Sequence, residues 1–269
     1  MPRRTGFSLL ELLISISVII VLVTLLTPGV QMCRQVARRT QCANRLRQLS
    51  IAVHNYNHLH GMLPPGCVNE TGPVVTAESG YHMNWLAQVL PFIDREAIYR
   101  EIDFRAGVYA PANNAVRRRY LPELVCPADR TRGRTFPGSS YVGSTGGIDE
   151  PVGTNNSGLL FLNSSIRFRE IRDGASYTIL LGERLMADSP TAVDPGWMSG
   201  TSATLRHTTT TGLGGKSQVP PSQQTGGFAS AHSVINVALA DGSVRAMSGG
   251  AAVWKDLGCR DDGNKQPGF

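Results

Sequence analysis

Residues 1–31 read MPRRTGFSLLELLISISVIIVLVTLLTPGVQ, and the way this run tolerates Glu11 decides how the chain is built. Between Phe7 and Val30 no other residue is charged. As a helix those residues reach about 36 Å at 1.5 Å per residue, enough to cross a bilayer core. The stretch predicts a transmembrane helix over 7–30. No A-x-A site follows the apolar run, and Met32 before Cys33 is too bulky for a lipoprotein site, so the anchor is expected to stay attached.

Near the centre of a bilayer a carboxylate costs on the order of 3 kcal/mol, so Glu11 needs either a shallow position or a partner. Cleavage between Gly6 and Phe7 would supply the partner, because the new amine of Phe7 lies about one helical turn from Glu11. A neighbouring parallel helix could offer the same amine. The other reading keeps the anchor uncleaved, with Glu11 at the interface and in contact with water.

Working outward, residues 1–60 carry seven Lys or Arg against one acid, and the remaining residues carry nineteen of each, so the whole formal excess of +6 belongs to the first sixty. A basic surface for nucleic acid would lie on the folded domain, so this distribution predicts lipid-headgroup contact and no nucleic-acid partner. Residues 31–60 continue the helix beyond Pro28, where a kink is expected. Cys42, Leu46, Leu49, Val53, Tyr56 and His60 recur at alternating spacings of four and three, one apolar face of an amphipathic helix. PPG at 64–66 ends it.

Residues 61–269 are rich in Gly, Ser, Thr and Pro. HMNWLAQVLPFIDREAIYREID (82–103) predicts one or two short helices, GLLFLN (158–163) and YTILLGERL (177–185) predict strands, and VINVALADGSVRAMS (234–248) predicts a hairpin turning at Asp241-Gly242. TSATLRHTTTTGLGGKSQVPPSQQTGG (201–227) predicts a long loop. The fold class is α+β: a long N-terminal helix packed on a mainly antiparallel sheet with loop-rich insertions.

The opening RRTGFSLLELL, a short basic leader ending in Gly and followed by Phe and an apolar helix with Glu at its fifth position, resembles the class III signal of type IV prepilins and type II secretion pseudopilins. The resemblance implies a pilin-like fold, a leader peptide 1–6 removed after Gly6 by a prepilin peptidase, methylation of Phe7, a role for Glu11 in subunit registration, and a helix-loosening Pro28. It divides the chain into leader 1–6, transmembrane helix 7–30, amphipathic continuation 31–60 and extracytoplasmic globular domain 61–269. QCANRLRQLSIAVHNYNHLHGMLPPG, WLAQVLPFIDREAIY, LVCPAD, IRDGASYTILLGE and HSVINVALADGSV resemble a widespread bacterial prepilin-like family that typically ends in His, nine residues, then Asp-Gly. Here His232 and Asp241-Gly242 are separated by eight residues, one fewer, which loosens any fixed relation between His and Asp. Against the extracytoplasmic placement stand the arginines: Arg3 and Arg4 on one side of the apolar run, Arg34, Arg38, Arg39, Arg45 and Arg47 on the other, the reverse of the positive-inside rule. The leader is the more specific signal.

Catalytic motifs are weak. GLGGKS (212–217) has Thr210 where a phosphate-binding loop needs Gly, and no G-x-S-x-G occurs. His54, His58 and His60 suit the end of a helix, and Asp241 suits a turn; with Asp261 and Asp262 it offers only a calcium-like set. No metal and no cofactor are expected. The five cysteines form no C-x-x-C, and Cys67 with Cys126, both in turn-like segments, is the first disulfide pair to test.

The residues and the resemblance together predict a non-enzymatic, single-pass subunit of the inner (cytoplasmic) membrane. Its partners would be a prepilin peptidase, other prepilin-like subunits and membrane lipid, in a type IV pilus- or type II secretion-like structure. The alternative is a singly anchored ligand-binding module that never polymerises, with Trp197 and Trp254 as exposed aromatics.

Overall fold

A computed structural model describes residues 9–129, 136–186, 194–208, 220–224, 226–248 and 251–263. Gly6 and Phe7 lie outside them, as does the GLGGKS stretch. The chain divides into two compact units, Met1–Thr40 and Gln41–Phe269. One helix, α1 (Leu9–His60), contributes to both, and Pro28 lies inside it.

In the first unit α1 carries no charged residue from Leu12 to Val30. Leu9, Leu13, Ile19, Leu25, Leu26 and Val36 are all more than half exposed, and the most apolar eighteen-residue window is not buried against protein at all. A helix uniformly greasy on its outside is suited to lipid rather than water. Its hydroxyls are silenced locally: Ser15, Ser17, Thr24 and Thr27 donate to the carbonyls of Glu11, Ile14, Val21 and Val23, which removes their need for water. Among the described residues this is the one helix long and apolar enough to cross a membrane.

In the second unit the face predicted from spacing is the face that is buried. Cys42 is buried, Leu46, Leu49, Ala52 and Val53 pack into the main core, and Tyr56 lies half-buried against it. The stripe stops there. His60 is exposed, its ring lying 4.1 Å from that of Tyr56, so it is not part of the docking face.

That core is closed by a five-stranded sheet of order β5-β3-β4-β6-β7, with β3 at Tyr141–Ser144, β4 at Ile179–Glu183, β5 at Leu205–Arg206, β6 at Ile235–Leu239 and β7 at Val244–Met247. Only β3 and β5 run parallel; the other three pairings are antiparallel. A two-residue ribbon joins β1 (Cys67–Val68) to β2 (Met83–Asn84). Residues 82–103 form α2 (Trp85–Val89) and α3 (Glu96–Arg100), separated by a 3-10 turn at Leu90–Ile93 that holds Pro91. α4 is Asn114–Arg117 and α5 is Ala251–Gly258.

The sheet is apolar on both faces. Tyr141, Leu181 and Ala238 join the core that α1 enters, whereas Val142, Ile179, Val237 and Leu239 join Phe228, Trp254 and Leu257 on the other side. Near-continuous apolar strands are what two covered faces require. Gly182 is imposed by that second layer, since a Cβ there would lie 2.3 Å from the Phe228 ring.

Three expectations are corrected. GLLFLN is not a strand: Leu159–Leu162 are buried, but the segment bends and makes a single bridge, Cys67 to Leu162, so it plugs the core without joining a ladder. The loop at 201–227 begins with buried residues 201–208 and contains β5. Trp197 and Trp254 are 0% and 1% exposed, so neither can serve as a surface aromatic. The indole N–H of Trp197 is satisfied by the Arg119 carbonyl, as a buried Trp requires.

Candidate functional site

The second unit contains one cluster built from four separate segments. Cys42 comes from α1, Cys126 from the loop after the 3-10 turn Pro122–Leu124, Glu183 from the end of β4, and His232 from the segment leading into β6. One atom of each (both Sγ, a carboxylate oxygen, a ring nitrogen) lies within 4.8 Å of the other three. Among the described residues this is the one such gathering of three or more His, Cys, Asp or Glu.

The cluster corrects the predicted disulfide. Cys126 is bonded to Cys42, with Cα atoms 5.4 Å apart and 84 residues between them in sequence. Cys67 is free and buried, held in the β1–β2 ribbon away from that pair. Turn-like surroundings were the wrong criterion. Cys42 sits at the start of the buried face of α1, and the Cys126 loop is brought onto it by a hydrogen-bond web. The Cys126 N–H donates to Ser140 Oγ (3.0 Å), Ser140 Oγ donates to Asp129 (3.1 Å), and the Asp129 N–H donates to the Cys126 carbonyl (2.9 Å). The Arg45 guanidinium donates to the Val125 carbonyl, fixing the same loop to the helix.

Glu183 is 2% exposed. Its carboxylate accepts from Ser230 Oγ (2.7 Å), the Asn236 N–H (3.0 Å) and Asn236 Nδ2 (2.9 Å). All three donors are neutral, and no described cation forms an ion pair with it. His232 is half-buried; its N–H donates to Ser230 Oγ (3.1 Å), and its Nε2 lies 3.3 Å from Cys126 Sγ. Ser230 thus ties the Glu183 carboxylate to the His232 backbone.

Asp241 and Gly242 lie at the other end of β6. Structure does not bring His232 and Asp241 together. The Asp241 carboxylate accepts from the Ser243 N–H (2.8 Å), and Gly242 has φ +86°, the left-handed residue of a three-residue hairpin loop. Of the two, Gly242 alone takes a positive φ. A Cβ on Gly242 would lie 3.4 Å from His54 Nε2 on α1. Partial burial works against Asp241 ionising, but hydrogen bonds from Ser243 and Ser176 and the Arg245 charge together outweigh it and hold the carboxyl below its ordinary value. Burial lowers the pKa of His54, and the Asp241 carboxylate opposes that shift in part. The two ends of the motif therefore fasten the β6–β7 hairpin to α1 at two levels, one through Cys126–Cys42 and one beside His54.

Other candidates resolve into packing. Burial pushes the Cys67 thiol strongly up, which leaves it protonated and a poor nucleophile. His82 is 4% exposed, its Nδ1 is 3.1 Å from Tyr109 Oη, and burial lowers its pKa to about 4. Burial likewise lowers His207 to about 4, only partly opposed by Asp149 at 3.5 Å. Asp261 and Asp262 do not gather with Asp241. The Asp262 and Gly263 N–H groups instead donate to Asp173 (2.8 and 2.9 Å).

Two of the four clustered side chains carried no functional expectation. Cys42 was absorbed into the apolar stripe. Glu183 had a usable signal, a carboxylate inside the otherwise apolar YTILLGERL, since an ionised group in a covered strand needs a reason to be there.

Residues 31–249 match the family described as "Protein of unknown function (DUF1559)", and residues 1–27 match the "Prokaryotic N-terminal methylation motif". No curated protein and no solved structure matches the chain. The first match covers most of the sequence and takes in α1 from its arginine-rich stretch through β7. The chain belongs to the DUF1559 family and, with the methylation motif at its start, is a prepilin-like protein of the type IV pilin and pseudopilin type.

Proposed function

We propose that this chain is a membrane-anchored structural subunit that a prepilin peptidase cleaves after Gly6 and methylates on Phe7. It then assembles with other prepilin-like subunits into a type IV pilus- or type II secretion-like structure. The observation that carries the reading is the coincidence of the methylation motif over 1–27 with an apolar helix left uncovered from Leu9 onward. Burying that surface against lipid and then against like helices gives it a use in both states. Within it, Glu11 supplies a fixed negative charge to which an incoming amine is drawn, setting the axial register between helices.

The globular unit is assigned to the extracytoplasmic side of the inner membrane. Support comes from the Cys42–Cys126 disulfide, a bond that persists in oxidising compartments and is rare in the cytosol. It weighs against the orientation suggested by the arginine count. The reading is of a structural protein and not an enzyme, and the uncharged interior positions of Cys67, His82 and His207 agree with it. The singly anchored module loses its proposed contact residues, because Trp197 and Trp254 are core.

The test is the intact mass of the protein purified from its own host membranes. The expected product lacks residues 1–6 and carries one added methyl on Phe7. A mature chain that still starts at Met1 would remove the basis for assembly.

A further inference from the structure

We propose that, whenever Cys42 and Cys126 are in the dithiol state, the cluster of Cys42, Cys126, Glu183 and His232 binds a single thiophilic divalent cation of the Zn²⁺ class. Two sulfurs, one imidazole nitrogen and one carboxylate oxygen form a four-ligand set that Zn²⁺ accepts in tetrahedral geometry. The spacing is close to what that geometry needs. With Zn–S and Zn–N bonds of about 2.3 and 2.0 Å, a tetrahedral S···N edge is about 3.5 Å. The Cys126 Sγ to His232 Nε2 separation is 3.3 Å, and no pair of the four donors exceeds 4.8 Å. Only the two sulfurs must part, from a bond to an edge of about 3.8 Å.

Two further features belong to a metal site more than to a bare disulfide. Glu183 is a carboxylate 2% exposed whose hydrogen-bond donors, from Ser230 and Asn236, are neutral, so no described ion pair offsets a negative charge there. A dication between it and the thiolates offsets that charge. Ser230 and Asn236 also hold the carboxylate in place, and Ser230 reaches the His232 backbone, the outer support that orients ligands around a metal.

Disulfide and metal are mutually exclusive occupants of the same four side chains. The newly made chain has the dithiol and needs no reductant to bind. Loss of the cation follows oxidation by a partner disulfide: the two thiolates form the Cys42–Cys126 bond and surrender two electrons. The partner disulfide takes those electrons with two protons to become a dithiol, and Zn²⁺ leaves. The site would hold the α1 start, the Cys126 loop, β4 and the β6 segment together before the covalent bond does.

The test uses the full chain in detergent micelles, carrying Cys33→Ser, Cys67→Ser and Cys259→Ser so that the pair supplies the only thiols. After phosphine reduction, Co²⁺ is titrated. One equivalent is expected to give thiolate-to-cobalt charge-transfer absorption with tetrahedral visible bands, displaced by Zn²⁺ and absent from the unreduced sample. His232→Ala and Glu183→Gln should each weaken the cobalt affinity by about tenfold or more. The reduced chain with all five cysteines gives a second reading, in which Zn²⁺ should protect Cys42 and Cys126 from alkylation as mapped by peptide mass. Absence of a charge-transfer band at one equivalent, or unchanged alkylation of both cysteines with Zn²⁺ present, overturns the proposal.

Discussion

Gly242 shows how a single residue joins backbone geometry to packing. Its φ of +86° lies where a side chain is strained, and its missing Cβ faces His54 on α1. Gly242→Ala should lower stability by about 1 kcal/mol or somewhat more, read as a shifted urea midpoint with an unchanged slope. His82 and His207 give a second residue-scale expectation, in pH. Their folded pKa values of about 4 lie below the ordinary 6.5, so the unfolded chain binds protons that the native chain refuses. Stability is therefore whole above pH ~6.5, falls between there and about pH 4, and levels off below, with a loss on the order of 3 kcal/mol per histidine. Unfolding of the full chain in micelles at pH 7 and pH 4.5 measures it, and His82→Gln should flatten part of the slope. Neither histidine could be singled out from sequence, because its partners Tyr109 and Asp149 are remote and burial is a property of the assembled core.

Elements were legible in proportion to how local their causes are. The buried face of α1 follows from spacing alone, and the β6–β7 hairpin from alternation around Asp241-Gly242, so both were readable. GLLFLN has the composition of a strand, yet Gly158 and Leu160 donate to carbonyls of Thr145 and Ser144 and bend it into a plug, a long-range outcome that no local pattern encodes. The disulfide escaped for the same reason, since Cys42 looks like one more small apolar residue on a helix. Its closure of an 84-residue separation makes it the strongest covalent constraint on α1. In chain-entropy terms such a loop is worth about 4 kcal/mol, so the Cys42→Ala, Cys126→Ala double variant should lose roughly that much against thermal or urea unfolding.

For the molecule as a whole, the apolar reach of α1 and the assignment of the chain to a prepilin-like family were available from the first thirty residues. The four-residue cluster was not, because each member comes from a different segment. Glu11 is where the assembly reading is most exposed to test. Glu11→Ala should leave membrane insertion and cleavage intact while abolishing incorporation, measured by crosslinking between single cysteines placed along residues 9–30 in native membranes. Normal helix-to-helix crosslinks in that variant would remove the charge from the mechanism.

The rims of the sheet carry one more consequence. β5, on one rim, has two residues, and β7, on the other, has four with Arg245 among them. Stubby or charged borders are poor templates for an incoming strand. In the assembly proposed above, crowded copies of the globular unit would stand shoulder to shoulder without zippering into a continuous ribbon, leaving cohesion to the greasy shafts and each head a separate, replaceable tile.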